Sequence, residues 1–257
     1  MAEFFDGKAA LITGGTRGLG RAIALRLARA GATIALNYRR DEASARQALE
    51  EVRVYAPGSI LIKADIEDDA QVRALAEQAG AELGRIDFLI VNAAATAFKP
   101  LVEAKPHNLM RTFNLSVGGF VASVQAARKF MSAGGRIVMI SGIDSMRHLP
   151  GHGVLGAAKS AMENMVRVFA FELGVQGITV NGVNFGMIDS DSSRMYFGDD
   201  FERVMKVAAE RSALKRLPAL DEIAAVVELI CRPEAGYITA QTIMVDGGLT
   251  FASPMAP

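Results

Sequence analysis

Short apolar runs recur along the chain: AALIT at 9–13, TIALN at 33–37, ILIKA at 60–64, DFLIVN at 87–92, RIVMIS at 136–141, ITVNGVN at 178–184 and TIMVDGG at 242–248. Each is rich in Ile, Val and Leu and nearly unbroken. A strand with one wet face alternates apolar and polar positions. An unbroken run reads as a strand buried on both faces, which is the habit of parallel sheets. Between the runs lie longer stretches such as RAIALRLARAG and VRALAEQAGAELG, with apolar residues at helical spacing and a glycine near the end. Strand–helix alternation over the whole length predicts an α/β doubly wound parallel sheet of about seven strands with helices on both faces. No linker, repeat or low-complexity tract breaks it, so residues 1–257 are expected to form a single domain. One stretch is irregular: GMIDSDSSRMYFGDDFERVMKVAAERSALK, at 186–215, follows a strand on the carboxyl edge of the sheet. Such folds bind ligands at that edge, and the stretch predicts a mobile substrate lid with a short helix.

Composition narrows the function. Hydrophobic residues are 51% of the 257, enough for a large core. Lys and Arg number 28 against 28 Asp and Glu, so neither a nucleic acid nor an acidic membrane is an expected partner. The single Cys231 rules out an internal disulfide and a cysteine metal cluster. It stands at an apolar helix end, in ELICRPEAG, and reads as a small buried residue. No apolar run reaches the ~18 residues of a membrane span. The N-terminal MAEFFDGKAALITGG carries no basic n-region or long apolar stretch, and a cytoplasmic protein is expected.

The first candidate chemistry lies between the first run and the first helix, in TGGTRGLGRAIA. Gly14, Gly18 and Gly20 stand in a G-x-x-x-G-x-G spacing, with Thr16, Arg17 and Leu19 between them. Glycine lets the backbone turn tightly and approach a pyrophosphate, and the helix behind offers unpaired N–H groups and the positive end of its dipole. This is the Rossmann-type cofactor position. An acidic residue closing the second strand would bind the ribose hydroxyls of NAD. Here the chain reads Asn37-Tyr38-Arg39-Arg40 instead, with Arg17 in the glycine loop. Guanidinium groups suit a 2′-phosphate, so NADPH is the expected cofactor. Asp65, in KADIED with Ile66, ends the third strand and is placed to accept a bond from the adenine amino group. Asn92-Ala93-Ala94-Ala95 ends the fourth, where small residues let the backbone pass close to a nucleotide.

Together these features resemble the short-chain dehydrogenase/reductase family over essentially the whole chain. TGGTRGLG looks like its cofactor loop, Asn92-Ala93-Ala94 like its NAG motif, Asn114 in FNLSVGG like its catalytic Asn, and Lys159 in GAAKSAMENMVRVFAFELG like its active-site Lys. QTIMVDGG near the end is also typical. NYRR, ISGIDSMRHLPGHGVLGAAKSAME and GMIDSDS look most similar to bacterial enoyl-acyl-carrier-protein reductases, especially the NADPH-using type III enzymes. The resemblance implies that Lys159 holds the nicotinamide ribose. It also implies that Ile188 and Ser190 lie beside the nicotinamide, Ser190 standing where the family often has a Thr, and that the protein is a homotetramer. Phe185 replaces the usual Pro of a PG pair.

Two departures matter. The common family pattern has a Ser seventeen residues before the Lys and a Tyr four before it; here those positions hold Gly142 and Leu155. Enoyl reductases place the Tyr seven before the Lys, where this chain has His152. None of Tyr38, Tyr55, Tyr196 and Tyr237 falls in 141–160, and Ser141, a strand neighbour of the Ser position, points to the opposite face. An imidazole can donate to an oxygen and can move protons near neutral pH. A Lys159 cation would push His152 toward its neutral form, which can still polarise a carbonyl. Reducing a ketone makes an alkoxide that must receive a proton. Reducing an enoyl thioester leaves an enolate whose oxygen needs only a hydrogen-bond donor. The substitution therefore argues against ketone reduction more than against reduction of an acyl-carrier or CoA enoyl thioester, with Asn114, His152 and Lys159 as the catalytic set. Two alternatives stay open: a degenerate family member that only binds NADP(H), and lyase, isomerase or cyclase chemistry in the same pocket. GHG is also a plausible turn that leaves His152 exposed. His107 reads as a surface residue. Met187, Ile188, Met195, Phe197, Phe201, Val204 and Met205 make the lid apolar, suited either to an acyl chain or to packing on the core. The helix carrying Met162, Met165, Val166, Val168, Phe169 and Phe171 is apolar on more than one face, as a subunit contact requires. The tail FASPMAP is left open between a contact with a neighbour and disorder.

Overall fold

A computed structural model of the protein describes residues 4–94, 96 and 98–251. Ala95 and the tail beyond Phe251 lie outside the described residues. The strands are β1 (Ala9–Thr13), β2 (Thr33–Tyr38), β3 (Ile60–Lys63), β4 (Phe88–Val91), β5 (Arg136–Ile140), β6 (Thr179–Phe185) and β7 (Thr242–Val245). They form one sheet in the order β3-β2-β1-β4-β5-β6-β7, and every pairing is parallel. Helices α1 (Gly18–Arg29), α2 (Glu42–Arg53) and α3 (Asp69–Leu83) follow the first three strands. Helices α4 (Pro106–Phe113) and α5 (Gly119–Ala127) follow β4, and the long α6 (Gly153–Gly174) follows β5. Helices α7 (Asp191–Phe197), α8 (Phe201–Arg211) and α9 (Leu220–Cys231) lie between β6 and β7.

The unbroken apolar runs have a physical cause. On β1, Ala10 and Ile12 pack into one core with Ile23 and Leu27 of α1 and Ile223 and Val227 of α9. Leu11 points the other way, into a second core with Leu75 of α3, Phe120 of α5 and Val166 of α6. Strand β5 does the same, with Val138 and Ile140 in the first core and Ile137 and Met139 in the second. Side chains alternate at every residue of a strand, so two buried faces require apolar residues at consecutive positions. Each fully buried Leu or Ile contributes about 1.5–3 kcal/mol.

The strands end where polar side chains take over. Asp87, read as the start of the fourth strand, lies one residue before β4; its backbone bonds Ala9 and Arg136, and its carboxylate accepts from Lys8, Arg85 and the Ala9 N–H. Asp246, beyond β7, accepts from the Gly248 and Thr250 N–H groups and closes a turn. Asp41 and Asp68 cap α2 and α3, accepting from the N–H groups of Ser44 and of Ala70 and Gln71. Helix α1 has no such cap and no acidic residue in its first turn. The strand order turns at β1 and β4, so the loops at their carboxyl ends diverge to opposite sides of the sheet and leave a crevice. The region read as a lid with one short helix contains two, α7 and α8. Phe201, Met205 and Ala208 anchor α8 by burial, while Met195 of α7 is exposed. Among the described residues no helix is long and apolar enough to cross a membrane.

Candidate active site

The crevice is floored by the glycine loop. Gly14 has φ +62°, and its N–H donates to Asn37 Oδ1 at 3.1 Å. A β-carbon at Gly20 would stand 2.3 Å from the Gly14 carbonyl oxygen and 2.6 Å from Asn92 Nδ2, so only glycine lets α1 lie this close to the loop. Gly18, at φ +51°, faces open space. Asn92 ties the end of β4 to this loop: its Nδ2 donates to the carbonyls of Thr13 (3.1 Å) and Gly14 (3.0 Å). The N–H groups of Asn92 and Ala93 both donate to Thr13 Oγ1, at 3.0 and 3.1 Å. Asn92 and Ala93, read from sequence as nucleotide contacts, thus also build the cradle. Thr16 is half-buried, Leu19 is buried and Arg17 is exposed at the N-cap of α1. A helix start without cap or acid, reached over an open Gly18, fits a pyrophosphate.

The arginines divide their work. Arg39 Nε lies 2.8 Å from Asp65 Oδ2, and its Nη1 lies 3.1 Å from Glu67 Oε1. Arg111 also pairs with Glu67, and foremost through that bond the Glu67 carboxyl is held below the usual range. Arg17 and Arg40 are exposed and form no ion pair among the described residues, which leaves both free for a phosphate. Asp65 spends one oxygen on Arg39 and the other on the Glu67 N–H. Ile66 is buried against Gly119, where a β-carbon would meet it at 2.7 Å.

The chemical end of the crevice lies where β5 meets α6. Lys159 is buried and its Nζ donates to the Ile140 carbonyl. Burial pushes its pKa down, while the charges of Asp144 and Glu163 push it back up. Asn114 opens a turn of π-helix, Asn114–Gly118, between α4 and α5, and its side chain is exposed. That wide turn packs against α6 and places an unpaired amide beside it. His152 is the residue before α6 and is not a solvent-exposed turn residue. Its Nδ1 lies 3.2 Å from Asp144 Oδ2. Its Nε2 is buried without a partner among the described residues. Phe98 and Tyr196 cover the ring, with centroids at 4.9 and 4.3 Å. Ser141 lies off this group, as its strand position implied, and donates to Glu163 Oε1 at 2.5 Å. Asn184 Nδ2 donates to the same oxygen at 2.8 Å.

Ile188 is buried, and Ser190 is the N-cap of α7, its Oγ accepting from the Ser193 N–H at 3.2 Å. The Tyr196 hydroxyl donates to the Pro150 carbonyl and fastens α7 to the loop before α6. Beside it opens a cleft of about 800 Å³, walled by Ile143, Leu149, Met187, Tyr196, Phe197 and Val204. Tyr196 is the wall it shares with His152. His107 is exposed, and Cys231 is buried with its thiol pushed up to about 12 by that burial. Sequence reading missed Asp144, Glu163 and Tyr196. A carboxylate two residues beyond the family's Ser position was the one available signal, and nothing in it named a partner.

Known proteins share this fold. Residues 14–250 match a family model described as enoyl-(acyl carrier protein) reductase. The chain is 39% identical over 244 residues to 1-cyclohexenylcarbonyl-CoA reductase of Streptomyces collinus, covering 95% of this chain and 87% of that protein. A short-chain dehydrogenase from Burkholderia cenocepacia, solved in complex with NADP, superposes with a TM-score of 0.87 at 31% identity, covering 96% of this chain and 99% of the other. A blue fluorescent protein from a metagenomic library, solved with NADPH, gives 0.86 at 35% identity, covering 95% and 98%. A glycine cradle under an uncapped helix, a lysine at the end of the fifth strand and relatives matched over nearly the whole chain agree: the protein belongs to the short-chain dehydrogenase/reductase family of oxidoreductases.

Proposed function

We propose that this protein uses NADPH to reduce the carbon–carbon double bond of an enoyl thioester, with His152 supporting the thioester oxygen in place of the family's phenol. The observation that carries the reading is the buried Nε2 of His152, without a partner among the described residues, with Tyr196 standing between its ring and the neighbouring cleft. A buried polar nitrogen without a partner is uncommon in a protein interior and marks a place for an incoming oxygen. The reductase names of the matched model and of the Streptomyces relative support the same chemistry.

NADPH, when bound, supplies a hydride to Cβ of the enoyl group. The protein does the rest. The start of α1 and the open face of Gly18 hold the pyrophosphate, and Arg17 and Arg40 hold the 2′-phosphate. Lys159 and Asn114 orient the nicotinamide ribose and the substrate. As electrons move from the double bond onto the thioester oxygen, His152 Nε2–H donates to that oxygen, and Cα takes its proton from water. A single donor of this kind is worth about 2.7–4 kcal/mol. The Tyr196 ring stands edge-to-face on the His152 ring, and an outward movement of α7 would open Nε2 to the acyl group. Ile143, Met187 and Phe197 then line its path. The exposed Val168 and Phe171 of α6 and Val175, just past its end, support a homotetramer.

NADPH consumption with a trans-2-enoyl-CoA, set beside the matching 3-ketoacyl-CoA, tests the reading. Turnover of the enoyl thioester and little of the ketone is expected. Tight NADPH binding with no consumption on any enoyl thioester would move the search to non-redox chemistry.

A further inference from the structure

The geometry points to Asp144 as the positioning residue that turns His152 into a donor: its carboxylate holds the ring through Nδ1 and leaves a protonated Nε2–H for the substrate oxygen. This inference rests on the reading of His152 given above. Asp144 Oδ2 lies 3.2 Å from Nδ1, and both side chains are largely sheltered. A carboxylate only accepts, so Nδ1 must carry a proton. A neutral ring held in that way has a lone pair at Nε2 and cannot donate there. Only the imidazolium, balanced by Asp144, offers N–H at both ends. The sequence suggested a neutral ring set by Lys159. Asp144 opposes that push, since its carboxylate lies against Nδ1 of the imidazole.

The backbone around Asp144 is cut to fit. A β-carbon at Gly142 would stand 2.8 Å from Asp144 Oδ1. One at Gly156 would stand 2.2 Å from the Asp144 carbonyl oxygen. Position 142 is where the family pattern has its Ser, and position 155, just before Gly156, is where it has its Tyr. A serine side chain at 142 and the Asp144 carboxylate claim the same space. A serine at 142 would therefore have to displace the Asp144 carboxylate. The other groups around the ring do not compete for it. Phe98 and Tyr196 present ring faces and edges, the Tyr196 hydroxyl is committed to Pro150, and Lys99 beside Phe98 is exposed. Lys159, on α6, bonds the Ile140 carbonyl.

The test combines nitrogen NMR of the His152 ring in the NADPH-bound protein with the pH profile of enoyl-CoA reduction. In the wild type the neutral ring should carry its proton on Nδ1, and Asp144→Ala should release that preference. The same variant should lower kcat about 10- to 100-fold, the loss of one hydrogen bond to a charged group, with KM for NADPH unchanged. Activity that depends on the imidazolium is present at low pH and lost as pH rises. Removing the anion should move that loss to lower pH, which a purely structural role would not do. Gly142→Ala, whose added methyl crowds Asp144 Oδ1 without removing either member of the pair, should act in the same direction. If Asp144→Ala does not fold, Asp144→Asn, equal in size and without the charge, carries the same prediction for the pH profile. If His152→Phe abolishes reduction while the Asp144 and Gly142 variants keep the wild-type rate and profile, Asp144 has no such role. A wild-type rate in His152→Phe would bring down the reading beneath it, and the positioning role with it.

Discussion

At Gly20 the crowding is against backbone: the Gly14 carbonyl cannot move without unseating the loop that Asn92 and Asn37 hold. Gly20→Ala should therefore cost about 1–3 kcal/mol, as overpacking does, and should weaken NADPH binding. Urea unfolding and a fluorescence titration read the two effects. Arg17 and Arg40 carry a different prediction. With Arg39 committed to Asp65 and Glu67, the two exposed guanidiniums are the proposed holders of the 2′-phosphate. Arg17→Ala combined with Arg40→Ala should weaken NADPH binding by about tenfold or more, at 1.5–3 kcal/mol per lost charged hydrogen bond, and should leave NADH binding nearly unchanged. Equal losses for both nucleotides would assign the selection elsewhere. The glycines were legible at this scale because a glycine loop between strand and helix has one dominant physical use. Asp144, Glu163 and the ion pairs of Arg39 were not, because side-chain partnership depends on turns whose direction residue spacing does not reveal.

The turn after β5 and the start of α6 form a unit. Short-chain reductases of the common pattern would have a Ser and a Tyr here, and Gly142→Ser with Leu155→Tyr is the direct route back in sequence terms. The structure argues otherwise. A serine at 142 meets Asp144 Oδ1, so the double variant should show no ketone reduction, whereas adding Asp144→Gly should allow it to emerge. Assay of a 3-ketoacyl-CoA compares the two, and ketone activity in the double variant alone would contradict the crowding. The strands were readable from sequence because two buried faces force consecutive apolar residues, as on β1 and β5. Their ends were less so, since the Asp87 carboxylate gathers Lys8, Arg85 and the Ala9 N–H beside its backbone bonds, and Asp246 closes a turn, which a run of letters does not show. The lid was expected to hold one short helix. A second, α8, forms because Phe201, Met205 and Ala208 recur at helical spacing and find the core.

At the scale of the whole molecule, two layers of helices cover the sheet, and Phe171 of α6 and Val175, just past its end, face solvent at 83% and 90% exposure. Phe171→Asp should break the proposed homotetramer, read by sedimentation, with the fold intact. Cys231, buried in the first core with a thiol at about 12, should ignore thiol reagents at neutral pH and react once when the protein unfolds. The account rests most heavily on His152. The decisive measurement is single-turnover oxidation of NADPH by a trans-2-enoyl-CoA in the wild type and in His152→Phe. Loss of one oxyanion donor should slow the variant by about a hundred- to a thousandfold, with NADPH affinity unchanged. Equal rates in the two proteins would contradict the assignment of the thioester oxygen to His152.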